Sequence, residues 1–142
     1  MKPPRQPEST EYKHLREQAA LPGRGGIARI WAAFWNTVGG LREGLSTEAA
    51  IKQEVAITLL AFPLSLLVAT NLWIWVALIG SLLFLLAVEF LNTAIERLCN
   101  HVQPELHTAI RVTKDLGSAA VFFAILLAAL IWIAALLARF GF

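Results

Sequence analysis

The chain has 142 residues and a formal net charge of only +2, yet 57% of its residues are hydrophobic and 15% charged. A soluble domain of this size has too little interior to cover that much apolar surface, so lipid must cover the excess. The pI of about 9.0 comes with no nucleic-acid motif, so no nucleic-acid partner is expected, and the single cysteine, Cys99, excludes an intrachain disulfide framework and any multi-cysteine metal site.

Residues 1–26 mix proline, glycine and charge without apolar periodicity and are expected to form a flexible cytoplasmic tail. They lack the apolar core of a cleavable signal, so the first spans are expected to act as their own insertion signals. The cluster Gly23, Gly25 and Gly26 lacks the Lys-Ser/Thr of a phosphate-binding loop. From Ile27 the pattern turns helical. Ile27, Ile30, Trp31, Phe34, Trp35, Val38, Leu41 and Leu45 recur at helical spacing, with Arg29, Asn36, Arg42 and Glu43 between them. This predicts an amphipathic surface helix over 27–45 in the membrane interface, weakened or kinked at Gly39-Gly40.

Ser46 or Thr47 is placed to cap the next helix, with Glu48 in its positive first turn. Between Glu54 and Glu89 lie 34 residues without a charge, broken at Thr70-Asn71. The stretch is too long for one span of about 20 residues. Two spans are predicted, at about 49–69 and 72–97, joined by a tight turn with Trp73 and Trp75 at interface depth. Pro63 is expected to bend the first. The third uncharged run, Leu116 to Ala138, covers 23 residues and places a third span at about 114–138, its far end marked by Trp132 and Arg139. Residues 27–142 are therefore expected to form one all-α membrane domain: an interfacial helix and three transmembrane helices.

Eight Lys/Arg precede Val55, none lies in the turn, and Arg97, Arg111 and Lys114 lie around the second connection, expected at 98–113. The positive-inside rule puts the N-terminus and that connection in the cytoplasm.

Glu89, Asn92, Glu96 and Asn100 fall within about 80° of arc, one polar stripe on an otherwise apolar helix. A charged residue in a span costs on the order of 2.5–3.5 kcal/mol on insertion scales. Hydrogen bonding between helices would account for Asn92 and Thr93, but glutamine would supply it without the charge. The two acids therefore point to chemistry. Glu89 is the deeper; Glu96 lies about two turns nearer the cytoplasm, within reach of water and a nucleotide.

The segment Lys114-Asp115-Leu116-Gly117-Ser118 opens the third span. Alone it reads equally well as an interface anchor followed by small packing residues. Together with Glu48, Glu54, Glu89 and Glu96 it supplies a cation among acids at similar depth. Carboxylates suit Mg²⁺, a lysine suits phosphate, and phosphoryl transfer needs both with a base on the attacking hydroxyl. His101 and His107 flank Glu105 around Pro104 without metal-ligand spacing and are expected to be solvated or to reach a nucleotide. Cys99 is expected to be a small apolar filler. Glu48 and Glu54, six residues apart, are expected on different sides of one helix. A site holding both with Glu96 then calls for neighbouring copies, hence a homo-oligomer.

Glu89-Phe-Leu-Asn92-Thr93-Ala94-Ile95-Glu96 followed by Lys114-Asp115-Leu-Gly117-Ser118-Ala119-Ala120-Val121, with Glu48-Ala-Ala-Ile-Lys52-Gln53-Glu54 upstream, closely resembles the bacterial diacylglycerol kinase family over about residues 25–141. The resemblance implies a homotrimer with active sites shared between neighbours. It also implies Mg·ATP-dependent phosphorylation of diacylglycerol to phosphatidic acid at the cytoplasmic face of a bacterial inner membrane. By the same resemblance Glu89 is the general base, and Glu48 and Glu96 hold Mg²⁺ with the ATP phosphates. Lys114 meets the phosphates, and Asp115, Glu105, His107 and Arg29 surround the nucleotide. Asn92, Glu54 and Ser118 shape the lipid-hydroxyl region beside Glu89.

Three features depart from the family's pattern: Asn100 stands where an acid is usual, Phe34, Trp35 and Asn36 are unusual for the surface helix, and the tail is extra. The alternatives are undecaprenol phosphorylation, which a sister branch of the family performs, an ion-conducting oligomer lined by Glu89 and Glu96, and an inactive scaffold.

Overall fold

The computed structural model describes residues 26–103, 105 and 107–141, so nearly all of the expected tail, with Gly23 and Gly25, lies outside the described residues. Four helices follow in order: α1 Gly26–Thr47, α2 Ala49–Val68, α3 Leu72–Val102 and α4 Thr108–Phe140. The last three are long and apolar enough to cross a membrane. The chain divides into two compact units between Leu41 and Arg42.

In the first unit, Trp31, Phe34 and Trp35 meet at i, i+3 and i+4 spacing, with Trp31–Phe34 and Trp31–Trp35 ring centroids each 5.8 Å apart. All three rings are more than half exposed, as an interfacial helix requires. The helix runs without interruption through Gly39 and Gly40.

In the second unit, α3 packs chiefly along α4 and also against α2, while α2 barely meets α4. One core cluster gathers Val68, Leu78 and Ala135, with Ala69, Ile74, Ile131 and Trp132 packed on it. Trp132 is thus more than a boundary marker, because its indole Nε1 donates to the Leu78 carbonyl at 3.3 Å. Arg139 Nε donates to the Leu67 carbonyl at 3.1 Å, giving the last turn of α2 a partner. At the other end Ile51 is fully buried beside Gly44, where a β-carbon would come within 2.6 Å of Phe90 Cε1. Elsewhere the spans are bare: Leu60 is 76% and Leu67 71% exposed, so most of the apolar surface awaits lipid or another copy.

Several expected boundaries shift. Helix α1 runs through Thr47, so Ser46 and Thr47 do not cap α2; their hydroxyls donate back to the Glu43 carbonyl at 2.9 Å each. The N-cap of α2 is Glu48, with extended backbone and no side-chain capping bond. Asn71 caps α3, its Oδ1 accepting from the Ile74 amide at 3.1 Å. Helix α3 continues past Arg97 to Val102, and α4 begins at Thr108, six residues before Lys114. The apolar run fixes only what lies in lipid, whereas the helix ends where backbone chemistry stops it. Pro104 has no N–H to donate, and His107 Nδ1 accepts from the Ala109 amide at 3.2 Å, capping α4. The 98–113 connection therefore shortens to residues 103–107. Pro63 lies inside α2 without interrupting it.

Candidate functional site

The stripe on α3 faces inward at its deep end and opens at its shallow end. Glu89 and Asn92 are buried, at 7% and 9% exposure, Glu96 is half-buried and Asn100 exposed. Asn92 Nδ2 donates to Glu96 Oε1 at 3.2 Å, one turn along. Asn92 Oδ1 is buried without a donor, as is Glu54 Oε2 on α2. Unsatisfied buried acceptors are costly and mark places where another group is expected.

Glu48 is the N-cap of α2, with φ −101° and ψ 121°, so helical angular spacing does not govern its side chain, whereas Glu54 lies within the helix.

Helix α4 supplies the opposite wall. Gly117 is buried against Asn92, and a β-carbon there would overlap Asn92 Oδ1. One turn earlier, Lys114 Nζ donates to Asn100 Oδ1 at 2.6 Å. The lysine is held by a neutral amide, which orients its ammonium without cancelling its charge. Ser118, beside Gly117, is exposed.

An open cleft of about 210 Å³ lies at this end. Glu105, His107, Lys114 and Asp115 all line it, joined by Asn100, Gln103, Ile110 and Arg111. Arg111 Nη1 lies 3.9 Å from Asp115 Oδ2. Four of the residues expected around a nucleotide therefore share one cleft. Arg29 is exposed and belongs to the first unit.

Arg97 marks only the orientation of the chain in the sequence, and the structure gives it much more. Its Nε and Nη2 donate to Glu48 Oε1 at 3.1 and 2.7 Å, Nη2 also to Thr47 Oγ1, and Nη1 to Glu43 Oε1 at 3.0 Å. The Arg97 hydrogen bonds hold the Glu48 carboxyl below the usual carboxylate range, against a smaller opposing effect of burial. No local pattern could have signalled a contact 49 residues apart; the one hint is a basic residue directly after the shallow acid of the stripe.

Among the described residues no group of three or more His, Cys, Asp or Glu side chains forms a metal site. Glu48 and Glu96 offer hard carboxylate oxygens. Mg²⁺ is commonly held by one or two carboxylates, its remaining positions filled by water and substrate phosphates. This donor set fits a cation that arrives with a nucleotide.

A profile of the family described as "Prokaryotic diacylglycerol kinase" matches residues 36–136. A protein named diacylglycerol kinase from Escherichia coli is 36% identical over 116 residues, 82% of this chain and 95% of the relative. One of the same name from Pseudomonas aeruginosa is 32% identical over 115 residues, 81% of this chain and 94% of the relative. Another from Haemophilus influenzae is 29% identical over 93 residues, 66% of this chain and 79% of the relative.

Proposed function

The chain belongs to the prokaryotic diacylglycerol kinase family, and from that premise we propose that it moves the γ-phosphoryl group of ATP to the free hydroxyl of diacylglycerol, giving phosphatidic acid. The observation that carries the reading is the meeting of α3 and α4. The shallow end of the stripe, Asn100, lines an open cleft and accepts from Lys114 Nζ at 2.6 Å.

The division of labour follows from depth. Glu89, buried between helices, accepts the proton of the lipid hydroxyl as its oxygen forms a bond to the γ-phosphorus. The bond from that phosphorus to the β–γ bridging oxygen breaks, and ADP leaves. Asn92 Oδ1 and Glu54 Oε2, buried without donors, are available to the incoming hydroxyl, and Ser118 borders the same region. Lys114 meets the phosphates, with Asp115, Glu105 and His107 around the rest of the nucleotide. Glu48 and Glu96 would hold Mg²⁺, which when bound would offset the negative charge of the phosphates.

The bare apolar flanks of the spans support assembly with further copies, and a homotrimer is proposed. The distribution of basic residues supports an inner-membrane protein with the N-terminus and the cleft in the cytoplasm.

The test is an assay in mixed micelles with labelled ATP, Mg²⁺ and either diacylglycerol or undecaprenol. Labelled phosphatidic acid is expected, with loss of transfer on chelating the metal. Label on undecaprenol alone would reassign the acceptor; label on neither would leave the conducting and scaffold readings.

A further inference from the structure

Arg97 bonds only one of the two oxygens of Glu48. Nε and Nη2 both converge on Oε1. The guanidinium is itself held from the other side, since Nη1 donates to Glu43 Oε1 at 3.0 Å. Its planar fork therefore spans two carboxylates, fixing the rotation of Glu48 rather than merely pairing with its charge. A glutamate at a helix N-cap, with no capping bond of its own, would otherwise sample several rotamers, and ordering it on ligand binding costs entropy.

We propose that Arg97 is a positioning residue for the nucleotide end of the site: by gripping Glu48 Oε1 through Nε and Nη2, with its own guanidinium held by Thr47 Oγ1 and Glu43, it presents Glu48 Oε2 to the cation that accompanies the nucleotide. The inference rests on the reading of Glu48 as a ligand of that cation. Arg97 touches neither metal nor phosphate in this scheme and acts through Glu48 alone. Lysine at this position would keep the charge but lose the fork.

The experiment uses the full chain in micelles and reads Mn²⁺ binding by electron paramagnetic resonance, in the presence of the non-hydrolysable β,γ-methylene analogue of ATP. Steady-state KM for the nucleotide and kcat are measured beside it. Arg97→Gln is expected to weaken Mn²⁺ binding and raise the nucleotide KM together by about three- to tenfold, the range for a partly exposed charge-assisted contact, with kcat nearly unchanged. Arg97→Lys recovers only part of this, and Glu43→Gln, which leaves Glu48 and Arg97 in place, shifts both quantities the same way but less. Unchanged Mn²⁺ binding in Arg97→Gln alongside a clear loss in Glu48→Gln would overturn the proposal and leave the metal reading standing. Unchanged Mn²⁺ binding in Glu48→Gln would overturn the metal reading and the proposal with it. A fall in kcat in Arg97→Gln that Arg97→Lys shares, with Mn²⁺ binding and nucleotide KM unchanged, would overturn the proposal and assign Arg97 a purely structural role.

Discussion

Gly117 and Asn92 are packed so closely that the side-chain carbonyl of Asn92 occupies the space a methyl group on Gly117 would need. This contact sets the distance between α3 and α4 at the level of the stripe, and it makes Gly117 a matter of space, since its backbone is ordinary helix.

Gly117→Ala is therefore expected to destabilise the protein. Overpacking at such a site costs about 1–3 kcal/mol, which outweighs the roughly 0.5–1 kcal/mol that alanine gains over glycine inside a helix. Thermal unfolding in micelles checks the stability. Activity should fall further than stability does, because Asn92 is displaced from Glu96, its partner at 3.2 Å.

Glu89→Gln keeps the shape and burial of the side chain but removes its capacity to take a proton. Turnover is expected to fall by about 10²- to 10⁴-fold, the usual contribution of a positioned general base, with unfolding temperature unchanged or raised, since a buried charge is gone. Full activity in this variant would remove Glu89 from the chemistry.

Asn100→Asp replaces an amide that accepts from Lys114 with a carboxylate that attracts it. The bond of 2.6 Å survives and strengthens, so the rate is expected to hold or rise. Asn100→Leu removes the acceptor, and the nucleotide KM should rise by a few fold, on the scale of one charge-assisted hydrogen bond in an exposed site. A collapse of activity in Asn100→Asp would show that Lys114 works only when its charge is uncompensated.

The long-range pair of Glu48 and Arg97 makes a prediction in pH. The Glu48 carboxyl titrates below its usual range in the folded chain because Arg97 holds the ionised form. Its contribution to stability is thus fully present above the ordinary carboxylate range and is lost as pH falls through the depressed value. The difference in unfolding temperature between the parent chain and Arg97→Gln should be constant near neutral pH and shrink toward zero in acid. A difference that stays constant down to the lowest pH would mean that Arg97 stabilises by packing alone.

The parts of this structure that were legible in the sequence are those carried by local periodicity. The three apolar runs gave three spans, and angular spacing put Glu89, Asn92 and Glu96 on one face, where the structure has them. What escaped was set by contacts distant along the chain or by backbone chemistry. Arg97 lies one residue off the stripe, and nothing near it announces Thr47, Glu48 or Glu43. Charged residues in the sequence suggest shorter α3 and α4 helices than the Gln103 and His107 caps set. Glu48 was assigned to a helical turn, yet its extended backbone frees it to turn toward α3.

The turn between α2 and α3 has a consequence for how the chain reaches its membrane. Residues 69–71 carry no charge, and Asn71 closes the first turn of α3 with its own side chain. A hairpin of this kind can pass into the bilayer tip first, because nothing at the tip must be stripped of an ionic hydration shell. The difficulty of biogenesis is thereby concentrated in Glu54 and Glu89, which reach the hydrocarbon last and from the same side. The acids read here as working parts are also the brake on insertion, and neutralising either should speed the chain's entry into the membrane.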